Sequence, residues 1–131
     1  MSDPSLAVQG ALVARLKELE TAAGTRVFDQ VKKDRAFPYI TVGPGQTIPI
    51  DETCFDGSEV FVQVDVWSRA VGFPEAKEIA GEIRIALHDQ DLIISGHFCD
   101  RVEVRSIDFS RDPDGLTSRA RIDLLITTQP A

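Results

Sequence analysis

Residues 59–92 read EVFVQVDVWSRAVGFPEAKEIAGEIRIALHDQDL, and this stretch decides the fold. From Glu59 the chain alternates without a break: Val60, Val62, Val64 and Val66 point one way, and Glu59, Phe61, Gln63, Asp65 and Trp67 the other. Period two with β-branched residues predicts a strand. The valine face suits a dry core. The opposite face carries too many apolar groups for simple solvation and is expected to meet another surface. Phe61 and Trp67 on that face have two readings, partner contact or core beneath a helix.

A helix is predicted from Pro74, where a missing N–H is harmless in the first turn. Glu75 and Glu78 lie toward its positive end, Arg84 and His88 toward its negative end, as the helix dipole prefers. Ala76, Ile79, Ala80, Ile83 and Leu87 recur at three- and four-residue steps and form one apolar stripe.

Other segments attach to this unit. Asp3 or Ser5 caps a first helix with Leu6, Leu12, Val13, Leu16 and Leu19 as its apolar side, and Gly24 suits the position past its end. Arg26–Val31 reads as a short extended piece, Lys32–Ala36 as a polar turn, and Phe37–Gly43 as a strand that Pro38 confines to an edge or a start. Residues 44–57, PGQTIPIDETCFDG, show no period and are expected to be a long functional loop that docks on something through Ile48, Ile50 and Phe55. Cys99–Phe109 alternates, with Val102 and Val104 on one face and Arg101, Glu103 and Arg105 on the other. A turn at Ser110–Thr117 leads to Arg119–Thr127, where Ala120, Ile122, Leu124 and Ile126 alternate with Arg119, Arg121 and Asp123; the two strands form an antiparallel hairpin. The order is α-β-β-β-α-β-β, with room for one more short strand near Leu92. The fold class is α+β: a largely antiparallel sheet, two amphipathic helices on one face, and the other face left to solvent or a partner.

The chain of 131 residues is expected to be one domain. No apolar run reaches membrane-spanning length, and MSDPSLAVQG has no signal-peptide pattern, so cytoplasmic residence is expected, with Cys54 and Cys99 reduced. The net charge of −7, without a basic patch interleaved with aromatics, argues against gripping DNA. It does not exclude DNA passing nearby, where repulsion is useful.

Catalytic and metal chemistry find little to recruit. His88-Asp89-Gln90-Asp91 and His97-x-Cys99-Asp100 lack a recognised ligand spacing, and read more simply as a polar helix end and a turn. Asp112-Pro113-Asp114-Gly115 resembles part of a calcium loop, but Arg121 stands where that loop requires a glutamate. Gly43-Pro44-Gly45 is no phosphate loop, and no serine sits in a nucleophile elbow. No enzyme, cofactor or metal is expected. Arg101, Arg105, Arg119 and Arg121, beside Glu103 and Asp123, are most simply cross-strand ion pairs, with a subunit interface as the sharper reading.

Arg26-Val27-Phe28-Asp29-Gln30-Val31, then Phe37-Pro38-Tyr39-Ile40-Thr41-Val42-Gly43, then Asp65-Val66-Trp67-Ser68 before the Pro74 helix, and finally the Arg111–Gly115 turn, follow one another in an order that resembles a known family. It is the tail-completion or tail-terminator family of long-tailed phages and phage-derived gene transfer agents, the latter branch being the more similar. The resemblance spans nearly the whole chain. It implies a structural protein that forms a ring, typically of six copies, on the head-proximal end of the tail tube. The ring stops tube growth and offers a surface to the head connector, while DNA passes through without specific binding. Such a protein assembles in the cytoplasm of the producing cell and then becomes part of the particle. The family supplies no catalytic residues. Two other readings stand beside it: a component on the head side of the joint, or a small ligand-binding or enzymatic α+β domain.

Overall fold

A computed structural model describes residues 3–30, 35–52 and 55–131, with the side chains of Asp51, Glu52 and Phe55 outside the description. Helix α1 (Ser5–Glu18) is followed by β1 (Val27–Phe28), β2 (Tyr39–Glu52), β3 (Phe55–Ser68), α2 (Pro74–Leu87), β4 (His97–Arg111) and β5 (Ser118–Pro130). The strands form one sheet in the order β1-β2-β3-β5-β4. β1 runs parallel to β2 and every other pairing is antiparallel. This is the expected order and the expected α+β class.

The valine face is the core face. Val60, Val64 and Val66 join Ala120, Ile122, Leu124 and Ile126 of β5 beneath the buried stripe of α2, Ala76, Ile79, Ala80, Ile83 and Leu87. α1 adds Val8, Leu12 and Leu16. Burying each of the larger side chains contributes about 2–3 kcal/mol before entropy is counted. The stripe of α1 is therefore narrower than predicted: Leu6 is 79% exposed, and Val13 and Leu19 only flank the core. Ser5 donates its backbone N–H to the Asp3 carboxylate at 2.9 Å, so Asp3 serves the first turn.

The described part of the expected loop 44–57, residues 44–52 and 55–57, is strand. β2 continues through them to Glu52 and turns back as β3, forming a long arm. The register jumps between Val42 and Gly45, a bulge that Pro44 favours because it has no N–H to give the ladder. β1 covers only Ile40 and Thr41, so the arm's β2 strand is a sheet edge and tolerates Pro49. The last rung between β3 and β5 joins Ser58 to Thr128; beyond it the two strands of the arm pair only with each other. Cys54 and the predicted turn near residue 32 fall outside the described residues. Leu92–Ile94 is not a strand either, since only an isolated bridge joins Ile94 to His97.

The β4–β5 hairpin forms as predicted, but two bulges in β4, between Cys99 and Arg101 and between Val104 and Ser106, shift its alternation. Ile107 thereby takes up a place against the core. At the hairpin turn the Asp114 carboxylate accepts the backbone N–H groups of Leu116 (2.8 Å) and Thr117 (2.9 Å) and the Thr117 hydroxyl (2.8 Å). These bonds, the Thr117 N–H first, hold its carboxyl below the usual carboxylate range. A depressed folded pKa means the contribution is present above the unfolded value of about 3.9 and is lost as pH falls through the folded value. Asp114→Asn should therefore lower the melting temperature at neutral pH and approach the wild type in acid. Equal losses at both pH values would show that the charge is not what matters.

Candidate interaction face

Both helices pack on the valine side, so the opposite face of the sheet has no helix over it. Its central rungs place Tyr39 and Arg119 on either side of Trp67, and Thr41 and Arg121 on either side of Asp65. This settles the position of Trp67 and Phe61: both are half-buried on the helix-free face, and neither lies beneath a helix.

Neighbouring side chains on the sheet cover Trp67 in part. Its ring stacks with Tyr39 at 6.1 Å between centres, its Nε1–H donates to the Thr41 hydroxyl at 3.0 Å, and the Arg119 guanidinium lies 4.9 Å from its ring centre. Arg119 Nε donates to Asp65 Oδ1 at 2.9 Å, and Gln63 Nε2 donates to Asp65 Oδ2 at 2.8 Å. Asp65 is only 4% exposed, although it belongs to the face without helices. The stack continues from Tyr39 to Phe37 (5.0 Å) and Phe28 (6.2 Å). Arg35 lies against Phe37 and Tyr39, and Arg69 lies 4.4 Å from the Phe37 ring centre. Alternating arginine and aromatic groups of this kind are favoured in protein interfaces.

The other candidate residues distribute unevenly. Arg105, set at a bulge, reaches the Phe61 ring at 5.3 Å and with it lines a shallow groove of about 430 Å³. Arg121 pairs with Asp123 at 3.6 Å, along its own strand. Arg101 stands apart at the free edge of β4, bound to Asp89 (3.0 Å) and Glu103 (3.5 Å). Among the described residues only Arg119 of these arginines makes a cross-strand ion pair, so the expected cross-strand pairs with Glu103 and Asp123 do not form; β4's bulges break the register they need. Ile48 is 40% exposed on the arm and Ile50 is half-buried. Phe55's side chain lies outside the described residues. Tyr39, Phe37, Arg35 and Asp65 belong to the same constellation but were not singled out from sequence. The aromatic pair at Phe37 and Tyr39, two residues apart on one strand, was the available signal.

The histidines are held by structural contacts. His88 Nδ1 accepts the Val104 N–H at 3.0 Å, tying the end of α2 to the second bulge, and His97 Nδ1 contacts the Ser95 carbonyl. Among the described residues no group of three or more His, Cys, Asp or Glu is placed to hold a metal.

A sheet covered on one side by helices and bearing an aromatic–arginine face on the other defines a small α+β domain. The chain belongs to the tail-completion protein family, since the family described as tail completion protein gp17 matches residues 10–129. Its role is accordingly structural, in the completion of phage-type tails. The fold is that of a chain in the virion of a native gene transfer agent particle, at a TM-score of 0.84 and 20% identity, with 98% of this chain and 99% of that one covered. It is also similar to the gp17 protein of bacteriophage SPP1, at a TM-score of 0.61 and 23% identity over 94% of this chain and 89% of that one. No curated protein matches the chain in sequence.

Proposed function

We propose that the chain assembles into a ring, most simply of six copies, that caps the head-proximal end of a tail tube, ends its growth and joins it to the head connector. The observation that carries this reading is the helix-free face. An aromatic–arginine stack there is only partly covered within one chain, as a surface awaiting a further layer of protein would be. Ile48, Ile50, Phe55, Phe61, Trp67, Arg101, Arg105, Arg119 and Arg121 are the proposed contact residues with neighbouring copies, tube or connector. Free strand edges on β4 and on the arm give a second means of joining, by strand pairing between copies. A repeated head-to-tail contact that closes on itself yields a ring. The acidic chain lets DNA pass through the channel without holding it. The protein would assemble in the producing cell's cytoplasm and end as part of the particle.

The test is the particle made without this protein. Tubes of uncontrolled length and heads without tails are the expected result, with added purified protein restoring defined tails. Tubes of normal length on that background, with only the joint to the head failing, would favour a component on the head side of the joint. Neither defect would return the question to a ligand-binding or enzymatic domain.

A further inference from the structure

We propose that, in the ring proposed above, the β2–β3 arm of one copy docks onto a patch made of Lys77, Arg111 and the exposed apolar side chains around them, beside the N-terminus of α2 and the end of β4 in the next copy. Between Tyr39 and Ser68 there is no lysine or arginine, against five acids, Asp51, Glu52, Asp56, Glu59 and Asp65. Arg119 neutralises Asp65. The other four gather at the arm's outer half, where Asp51 stands directly opposite Asp56 and Glu59 opposite the exposed Ile48. Within residues 39–68 the sequence supplies no lysine or arginine to offset these acids. The outer half of the arm is thus acidic in sequence, with Ile48 exposed on it.

The complement lies on the same chain. Val71 is 97% exposed, Leu116 66% and Phe109 38%. Beside them Arg111 lies 4.9 Å from the Phe73 ring centre and Lys77 5.2 Å from that of Phe109. Neither cation makes an ion pair among the described residues; both rest only on aromatic rings. Glu75 and Glu78 of α2 and Asp112 and Asp114 of the hairpin turn flank these groups, Asp114 being paired with Arg69. The charge match to the arm is therefore made by Lys77 and Arg111, and the apolar match by Val71, Leu116 and Phe109.

One copy cannot satisfy itself. Arg111 pairs with Ser118 and Ser118 with Ser68, ten rungs from the Ser58–Thr128 pair beyond which the arm projects. At a rise of about 3.3 Å per residue, patch and arm lie roughly 30 Å apart at opposite ends of the sheet. The contact must join two copies head to tail, the geometry that closes into a ring.

Two charge-reversed proteins test this: one carrying Asp56→Lys and Glu59→Lys on the arm, the other Lys77→Glu and Arg111→Glu on the patch. Circular dichroism confirms that each folds. Mass by light scattering, alone and on purified tail tubes, reports assembly. Each reversed protein alone should need at least about tenfold more protein to assemble, because like charges then meet. An equimolar mixture should recover rings of wild-type mass in which the two proteins alternate. Reversed proteins that assemble as readily as the wild type, or a mixture that fails to recover, would overturn the docking and leave the ring reading intact. Rings that persist while the arm-reversed protein alone loses tube binding would assign the arm to the tube instead. A wild-type chain that forms no ring either alone or on tubes would overturn the ring reading itself.

Discussion

Asp65→Ala is expected to lower the stability of the fold by about 2–4 kcal/mol, although Asp65 lies on the face of the sheet that no helix covers. Its carboxylate is buried, held by Arg119 Nε at 2.9 Å and Gln63 Nε2 at 2.8 Å. Removing it leaves the Arg119 guanidinium against the Trp67 ring with no counter-charge, and leaves the Gln63 amide without its acceptor. Breaking one side of a desolvated pair costs more than the pair contributes, because the surviving charge has lost its hydration. The Arg119 side chain is 29% exposed, so water screens part of the loss and the lower half of the range applies. Asp65→Asn retains an acceptor and should cost about half as much. The double variant Asp65→Leu/Arg119→Leu removes both charges and should be more stable than Asp65→Ala. Urea unfolding of these variants and of the single variants Asp65→Leu and Arg119→Leu measures this. A double variant whose loss equals the sum of the single losses would mean that the two residues are not coupled.

β3 and α2 were legible because each buries one face against a deep core, and burial imposes a period: valines every second residue in the strand, Ala76, Ile79, Ala80 and Ile83 in the helix. The β4–β5 hairpin was legible in its Ser110–Thr117 turn and in the alternation of β5. Legibility failed where no core enforces it. Residues 45–52 pair only with β3 along one edge, so Gln46, Thr47, Ile48 and Pro49 need no alternation, and the run looks like a loop. The bulges in β4 cannot be seen from a residue pattern, since they depend on the register against β5. The candidate face was half legible. Phe61 and Trp67 stood out as too apolar for a solvated face, and Arg105 and Arg119 as members of an arginine-rich hairpin. Tyr39 and Asp65 became meaningful only when the rungs placed them beside Trp67.

Gly45→Val is expected to be the most damaging substitution in the arm, lowering stability by about 3 kcal/mol, with Gly45→Ala close behind. A β-carbon at Gly45 would lie 2.1 Å from the carbonyl oxygen of Phe61, 3.2 Å from its carbonyl carbon and 3.3 Å from the α-carbon of Val62. All three are backbone atoms of the paired strand, so no rotamer change relieves the clash; the β2–β3 ladder must open at the bulge. Gly43, two residues earlier, provides the control. A β-carbon there would meet only the Gln63 carbonyl oxygen, at an ordinary 3.5 Å, and Gly43→Ala should be neutral to within about 1 kcal/mol. β5 pairs with β3 and β4 and does not pair with β2, so the damage should centre on the arm and on the start of α1 beside it. Amide exchange in residues 45–50 should accelerate in the Gly45 variants while β5 keeps its protection. If the arm is the element that reaches the next copy, Gly45→Ala should impair ring assembly more than its stability loss alone explains. A core substitution of similar cost, such as Ile79→Ala at about 2–5 kcal/mol, should leave assembly intact. Equal assembly defects in those two proteins would mean that global stability governs ring formation and the arm's placement does not.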